Sequence, residues 1–165
     1  MVKEFGCVTK GYTADREKII ELLNAARSRE LIAYLEYKHF EMIMEGMMME
    51  DMQELCKEHA SQELAHAENL GFRIDMLSGV PVVRPSEFEK IAKKFKYEFK
   101  EATEYREMLE DLYEKEKIAI EGYRELVKLC GLDDPTTRKL AEDALKDEEH
   151  HADEIFSMLR GKAPK

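Results

Sequence analysis

Four apolar stripes, each interrupted by a single glutamate, constrain this chain more than any other feature. At the 3,4 spacing of a helix face, the first reads Leu23, Ala26, Glu30, Ala33, Tyr37, Phe40, Met44 and the second Met52, Cys56, His59, Glu63, His66, Leu70. The third reads Leu109, Leu112, Glu116, Ala119, Tyr123, Leu126, Cys130, and the fourth Ala141, Ala144, Glu148, His151, Ile155, Met158. Stripes this long predict an all-α chain whose helices bury one face each. Glycine and proline set the limits: helices over about 14–45, 48–77, 100–130 and 135–159, with Gly46 as a left-handed residue just past the first, and Asp134 as N-cap with Pro135 at N1 of the last. The links at Gly46 and at "GLDD" are short, so the first and second helices, and the third and fourth, are antiparallel neighbours. Residues 79–100 form a link long enough to run back along a bundle, making the third helix parallel to the second. Within it "SEFEKIAKKF" reads as a short helix, and the apolar spacing from Phe88 to Leu109 also allows that helix to fuse with the third. The expectation is a single domain over 1–165, a four-helix bundle of two antiparallel pairs joined by a long crossover.

The four glutamates fall at one height. Glu30 precedes Gly46 by 16 residues and Glu63 follows it by 17; Glu116 precedes Cys130 by 14 and Glu148 follows Pro135 by 13. At ~1.5 Å per residue each pair is level to within little more than one rise. The two halves read as a degenerate repeat, with 33 residues from Glu30 to Glu63 and 32 from Glu116 to Glu148. Burying one unpaired carboxylate costs several kcal/mol, and no lysine or arginine occupies a stripe position. Four carboxylates at one level call for compensating charge, which two divalent cations supply. His66 and His151, each three residues after a glutamate, complete the set. Glu30, Glu63, His66, Glu116, Glu148 and His151 are therefore the candidate ligands, and the candidate catalytic residues, of two metal ions ~3.5–4 Å apart. Solvated glutamates are the alternative; four at one level with two E-x-x-H pairs speak against it. Carboxylates and imidazoles without a thiolate suit iron or manganese better than structural zinc.

Composition narrows the partners. A net charge of −10 argues against nucleic acid and anionic membranes and favours attraction of cations. No apolar run approaches the ~18 residues that span a bilayer, and Met1 to Gly11 has no signal-peptide core; the expectation is a soluble, cytoplasmic protein. Cys7, Cys56 and Cys130 form no C-x-x-C pair, which fits a reducing compartment and excludes a rubredoxin-type iron site.

With these residues in view, the chain resembles the ferritin-like superfamily of di-iron carboxylate bundles, nearest its bacterioferritin, Dps-like and rubrerythrin-like branches, over about Ala14 to Leu159. "RELIAYLEY" is similar to the first-helix motif of bacterioferritins, which implies Glu30 as a terminal ligand followed by Tyr37. "QELAHAENLGFRIDMLSGVP" resembles the second-helix motif, implying Glu63 as a bridge and His66 as a ligand. "EKIAIEGY" implies Glu116 as the other terminal ligand, and "DEEHHADEI" implies Glu148 as a bridge with His151. The resemblance implies a ferroxidase that oxidises Fe(II) with O2 or H2O2 for iron storage or detoxification. A rubrerythrin-like peroxidase or other di-iron oxidase without a rubredoxin module, and a non-catalytic bundle held together by its metals, stand as alternatives. It also implies two iron ions, with manganese as the other metal, and a homo-oligomer, a dimer or a larger cage. Leu64 stands where bacterioferritins can carry a haem-ligating methionine, so no haem is expected. The end of the chain soon after the fourth helix leaves no room for the fifth helix of 24-subunit cages, and the long crossover is closer to Dps-like dodecamers. Rubrerythrins carry a glutamate where this chain has Ala119.

Other residues read two ways. His59 is either an additional ligand or a hydrogen-bonded core histidine, and His150 is rotated into solvent. Tyr37 and Tyr123 each follow a glutamate by seven residues, about two turns from the metals, as packing groups or, for Tyr37 by resemblance, as an electron donor. Six methionines between Met42 and Met52 either fill the bundle end or form a contact patch for another subunit, together with Ile20, Ile32 and Leu35 off the first stripe. In "EKIAKKFKYEFK" the aromatics pack and the lysines are solvated.

Overall fold

Asp15 starts the first helix. Its carboxylate accepts a hydrogen bond of 3.1 Å from the Lys18 backbone N–H and caps α1, Arg16–Ile43. The computed structural model describes residues 6–161, and within them follow α2 (Met49–Met76), α3 (Pro85–Lys94), α4 (Tyr105–Cys130) and α5 (Pro135–Leu159). Part of the Met1–Gly11 segment lies outside the described residues. Asp134 caps α5 as expected, accepting from Thr137 N at 2.9 Å ahead of Pro135. Replacing Asp15 by alanine is expected to cost about 1 kcal/mol, the usual worth of an N-cap. Thermal unfolding should register it as a fall of roughly 2–4 °C in Tm.

Long-range hydrogen bonds set the helix directions. Tyr37 on α1 reaches Glu116 on α4, while Tyr123 on α4 reaches back to Glu30 on α1, so these two helices are antiparallel. His59 meets Glu154, and His66 meets Asp147, so α2 and α5 are antiparallel too. With α1 and α2 joined by a short turn, α2 and α4 point the same way, and the crossover runs the length of the bundle. Every position of the four stripes is buried. The apolar ones separate into two clusters, one around Phe40, Met52, Leu109 and Ile155, the other around Leu23, Leu70, Leu126 and Ala141. The glutamate layer lies between them.

Four expectations are corrected. The third helix begins at Tyr105, not near 100, because residues 97–104 are non-helical; α3 stays separate, with Lys96 at φ 60° breaking any fusion. Gly46 has the expected positive φ, 95°, but α1 has already ended at Ile43. Met44 turns extended there and buries itself in the bundle end. Ile32 is buried within the chain against the cluster that holds Phe88 and Ala92 of α3, because the crossover covers that face of α1; Leu35 remains 48% exposed. The methionines divide: Met44 and Met52 fill the core, whereas Met42 and Met47 are exposed.

The crossover is fastened by a charged cluster away from the stripes. Lys115 on α4 is buried and pairs with Glu36 on α1 and, at 2.7 Å, with Asp111. Lys100 of the crossover gives its backbone N–H to Glu36 at 2.8 Å and its ammonium to Asp111 at 2.5 Å. Tyr97 lies beneath the Lys115 ammonium, 5.6 Å from ring centre to Nζ. Burial raises the Glu36 carboxyl to about 7, although Lys115 and the Lys100 N–H pull the other way. Among the described residues, no helix is long and apolar enough to cross a membrane.

Candidate metal centre

Each helix of the bundle delivers its stripe glutamate to one level because equal spacing from the short turns is equal height. Glu30, Glu63, Glu116, Glu148, His66 and His151 are all at most 8% exposed. They form two overlapping groups whose ligand atoms lie within 4.8 Å of one another: Glu30, Glu63, His66 and Glu148, and Glu63, Glu116, Glu148 and His151. Glu63 and Glu148 belong to both. His66 Nδ1 is 3.7 Å from Glu30, 3.6 Å from Glu63 and 3.2 Å from Glu148. His151 Nδ1 is 3.2 Å from Glu63, 3.7 Å from Glu116 and 3.3 Å from Glu148.

The polar atoms at the centre are orphans. Both carboxylate oxygens of Glu63, both of Glu148, and Nδ1 of His66 and of His151 are buried without a hydrogen-bond partner. Six such atoms facing one another would be strongly destabilising in a finished protein core. A hard divalent cation matches this donor set: carboxylate oxygens on both sides and one imidazole nitrogen apiece.

The supports of these groups are crossed between helices. Tyr123 on α4 donates to Glu30 Oε1 on α1 at 2.8 Å, and Tyr37 on α1 donates to Glu116 on α4. The tyrosines thus touch the carboxylates, which corrects the expectation that they stand two turns away. The distance along the helix is real, but the antiparallel partner brings the other helix's glutamate to each hydroxyl. The histidines follow the same rule. His66 on α2 contacts Asp147 on α5 through Nε2 at 3.3 Å, and His151 on α5 contacts the Gln62 side-chain oxygen on α2 through Nε2. Asp147 and the Gln62 oxygen only accept, so Nε2 carries the proton and Nδ1 is turned toward the carboxylates. Gln62 and Asp147 were missed in the sequence, yet a signal exists: each stands one residue before a shared glutamate.

The electrostatics suit a cation among these groups. Burial, followed by the charge of Glu148, raises the Glu63 and Glu116 carboxyls. Burial disfavours charge on His66, but contacts with Glu148, Glu30 and Glu63 outweigh it and raise its pKa; His151 behaves alike through Glu116, Glu148 and Glu63. Protons thus take the place that cations would fill.

His59 is a core histidine with two partners, Tyr37 Oη at 3.2 Å from Nδ1 and Glu154 at 3.0 Å from Nε2. It stacks on His151 at 3.9 Å between ring centres and, with Glu116 and His151, forms a third close group. Burial, then the neighbouring His151, lowers its pKa to about 3, so it is neutral. His150 is exposed, as expected, and lies 3.7 Å from Glu154.

Comparison with known proteins gives one consistent picture. A family model described as the ferritin-like domain matches residues 20–161. A bacterioferritin of Desulfovibrio desulfuricans is 30% identical over 143 residues, 86% of this chain and 74% of that protein. The solved structure of a dodecameric thioferritin, the bacterioferritin-related protein of Bacteroides fragilis, superimposes with a TM-score of 0.85 at 33% identity, covering 90% of this chain and 88% of the other. A Dps structure from Thermosynechococcus elongatus shares the fold, with a TM-score of 0.81 at 22% identity over 87% of this chain and 90% of its own.

Proposed function

The chain belongs to the ferritin-like domain family, and from that premise we propose that it is a ferroxidase which binds two Fe(II) ions and oxidises them with O2 or H2O2. The observation that carries this reading is the set of atoms on Glu63, Glu148, His66 and His151 that lie buried between two apolar clusters without a hydrogen-bond partner. Glu30 and His66 would hold one ion, Glu116 and His151 the other, with Glu63 and Glu148 between them. Iron held there supplies one electron per ion to the oxidant. The chain's own part is to keep the donors aimed and the surroundings dry: Tyr123 and Tyr37 fix the outer carboxylates, while Asp147 and Gln62 fix the rings. Manganese fits the same donors, and the assignment of iron rests on the family.

The direct test is metal analysis of protein purified without chelator, followed by anaerobic Fe(II) titration and exposure to O2 or H2O2. Two ions per chain and oxidation by either oxidant are expected. Clean 1:1 binding, or binding unchanged in Glu63→Ala plus Glu148→Ala, sinks the reading. A smaller effect is expected at the supports: Tyr123→Phe frees Glu30 and should weaken metal binding about 10- to 100-fold, the usual range for a group that orients a ligand. Competition with a calibrated chelator measures it.

The protein is also proposed to be a homo-oligomer. Leu35, Met42, Met47, Phe72 and Met76 leave exposed apolar surface on α1, α2 and their turn, and the Bacteroides relative is described as dodecameric. Light scattering decides between a dimer, a cage of about twelve chains and the refuting result, a mass near the 19.3 kDa of one chain.

A further inference from the structure

Arg29 is a buried cation outside the proposed ligand set; its charge is felt at the neighbouring Glu30 and at Tyr123, but it makes no ion pair with either. It is 3% exposed, its Nε has no hydrogen-bond partner, and no carboxylate of the described residues lies within ion-pair distance of its guanidinium. Arg27 and Arg138 also leave Nε unmatched, but each anchors a terminal nitrogen on a carbonyl, Val82 and Gly131 respectively. Arg29 has no such anchor. A buried guanidinium without a counter-charge is unfavourable, and its terminal nitrogens, unlike Nε, are not sealed from the adjoining pocket, where something outside the chain can meet them.

The surroundings are shaped for a ligand. Arg29 stands at the wall of a pocket of about 710 Å³ between α1, α4 and the end of α3, lined also by Phe95, Ile118, Ile120 and Gly122. The guanidinium carbon is 5.8 Å from the centre of the Phe95 ring. On its other side is Gly122, where a Cβ would come within 2.7 Å of that carbon. Glycine in mid-helix is less favourable than alanine, and here it makes room for the guanidinium. At the rim the cations are already matched: Lys117 with Glu114 at 2.5 Å, Arg124 with Glu121 at 2.7 Å and with Glu149 at 2.8 Å. Glu125, the remaining charged group of the lining, makes no ion pair with Arg29, so the unmatched cation is Arg29, next to an aromatic and aliphatic wall.

We propose that this pocket binds a small organic oxyanion, a carboxylate or phosphate on an apolar body, through the terminal nitrogens of Arg29 with the body against Phe95 and Ile118. A planar guanidinium recognises either oxyanion by paired N–H donors. The apolar wall selects against a bare inorganic ion. The site adjoins the proposed centre, Arg29 preceding Glu30 and Gly122 preceding Tyr123, but it shares no ligand with it and needs no metal.

The test uses the full chain, metal-free and metal-loaded, with benzoate and inorganic phosphate as probes. Calorimetry should give one benzoate per chain in both forms, bound at least tenfold more tightly than phosphate, with a matching rise in Tm. Arg29→Met should lose benzoate binding at least tenfold and, without ligand, unfold no lower than the parent chain, since an unpaired charge has been replaced by an apolar group. Gly122→Ala should weaken binding by displacing the guanidinium, while Arg124→Gln should leave it unchanged. Benzoate binding that survives Arg29→Met, or no binding of either probe to the parent chain, overturns the proposal. So does a fall in particle mass by light scattering in Arg29→Met, which would assign the arginine to a carboxylate of a second copy.

Discussion

Glu63→Gln is expected to abolish stabilisation by metal while leaving the metal-free protein close to its original stability. At a free metal concentration about a hundred times Kd, each occupied site adds about 2.7 kcal/mol. Two sites in a domain of this size correspond to a Tm rise of roughly 10–20 °C. Glu63 stands in both close groups, so removing its charge weakens both ions rather than one. The metal-free chain should barely notice. Burial and the charge of Glu148 already raise the Glu63 carboxyl, and glutamine copies the shape of the protonated acid. Unfolding scans with and without Co(II) or Mn(II), neither of which turns over with oxygen as Fe(II) does, provide the measurement. A variant that keeps most of the metal-induced rise in Tm would remove Glu63 from the centre. One that collapses without metal would make Glu63 a structural residue.

The second large effect lies away from the centre. Lys115→Met should destabilise the protein by about 3–5 kcal/mol at pH 8, the usual consequence of stripping one partner from a buried charged cluster. Glu36, wholly buried, loses its ammonium and keeps only the Lys100 backbone N–H, while Asp111 keeps the Lys100 ammonium. The pH dependence has a definite sign. The folded-state pKa of Glu36 is raised, to about 7 from a usual 4.5, so the fold favours its neutral form. Stability from that shift is fully present below the unfolded pKa and is lost as pH rises through about 7. Without Lys115, one influence holding the carboxyl down is gone, and protonation becomes the remaining way to relieve the burial. The penalty should therefore be clearly smaller at pH 5 than at pH 8. Denaturant unfolding at the two pH values checks this, and an equal penalty at both would exclude Glu36 as the group responsible.

The two clusters differ in how legible they were. The glutamates and histidines of the centre sit on the 3,4 stripe, and a stripe is a one-dimensional pattern: spacing along a helix fixes face and height together. Lys115 sits off the stripe, one residue before Glu116, where the same periodicity assigns it to solvent. Only the crossover, which packs over the outer face of α1 and α4, makes that position interior, and the same cover hides Ile32. Arg29 is the same case on the first helix. The crossed supports were illegible for another reason. Tyr37 and Glu116 are 79 residues apart, and their meeting depends on the offset between antiparallel helices, which equal heights suggest but do not determine to a single hydroxyl. The element ends were least visible where a buried side chain overrode local propensity, as at Met44.

The crossed supports also bear on when the centre comes into being. Each outer glutamate is held by a tyrosine 79 or 93 residues away, and each histidine by a side chain 81 or 89 residues away. Neither hairpin, α1 with α2 or α4 with α5, contains a complete support for its own donors. Contacts between distant parts of a chain bear the loop-closure entropy and form late. During synthesis, therefore, an emerging first hairpin has its glutamates but nothing to orient them, and the metal capture proposed for this centre would arise only once α5 has left the ribosome and the topology has closed. On the proposed reading, tight metal uptake would report finished folding, and a truncated or misassembled chain would be barred from loading by its own architecture.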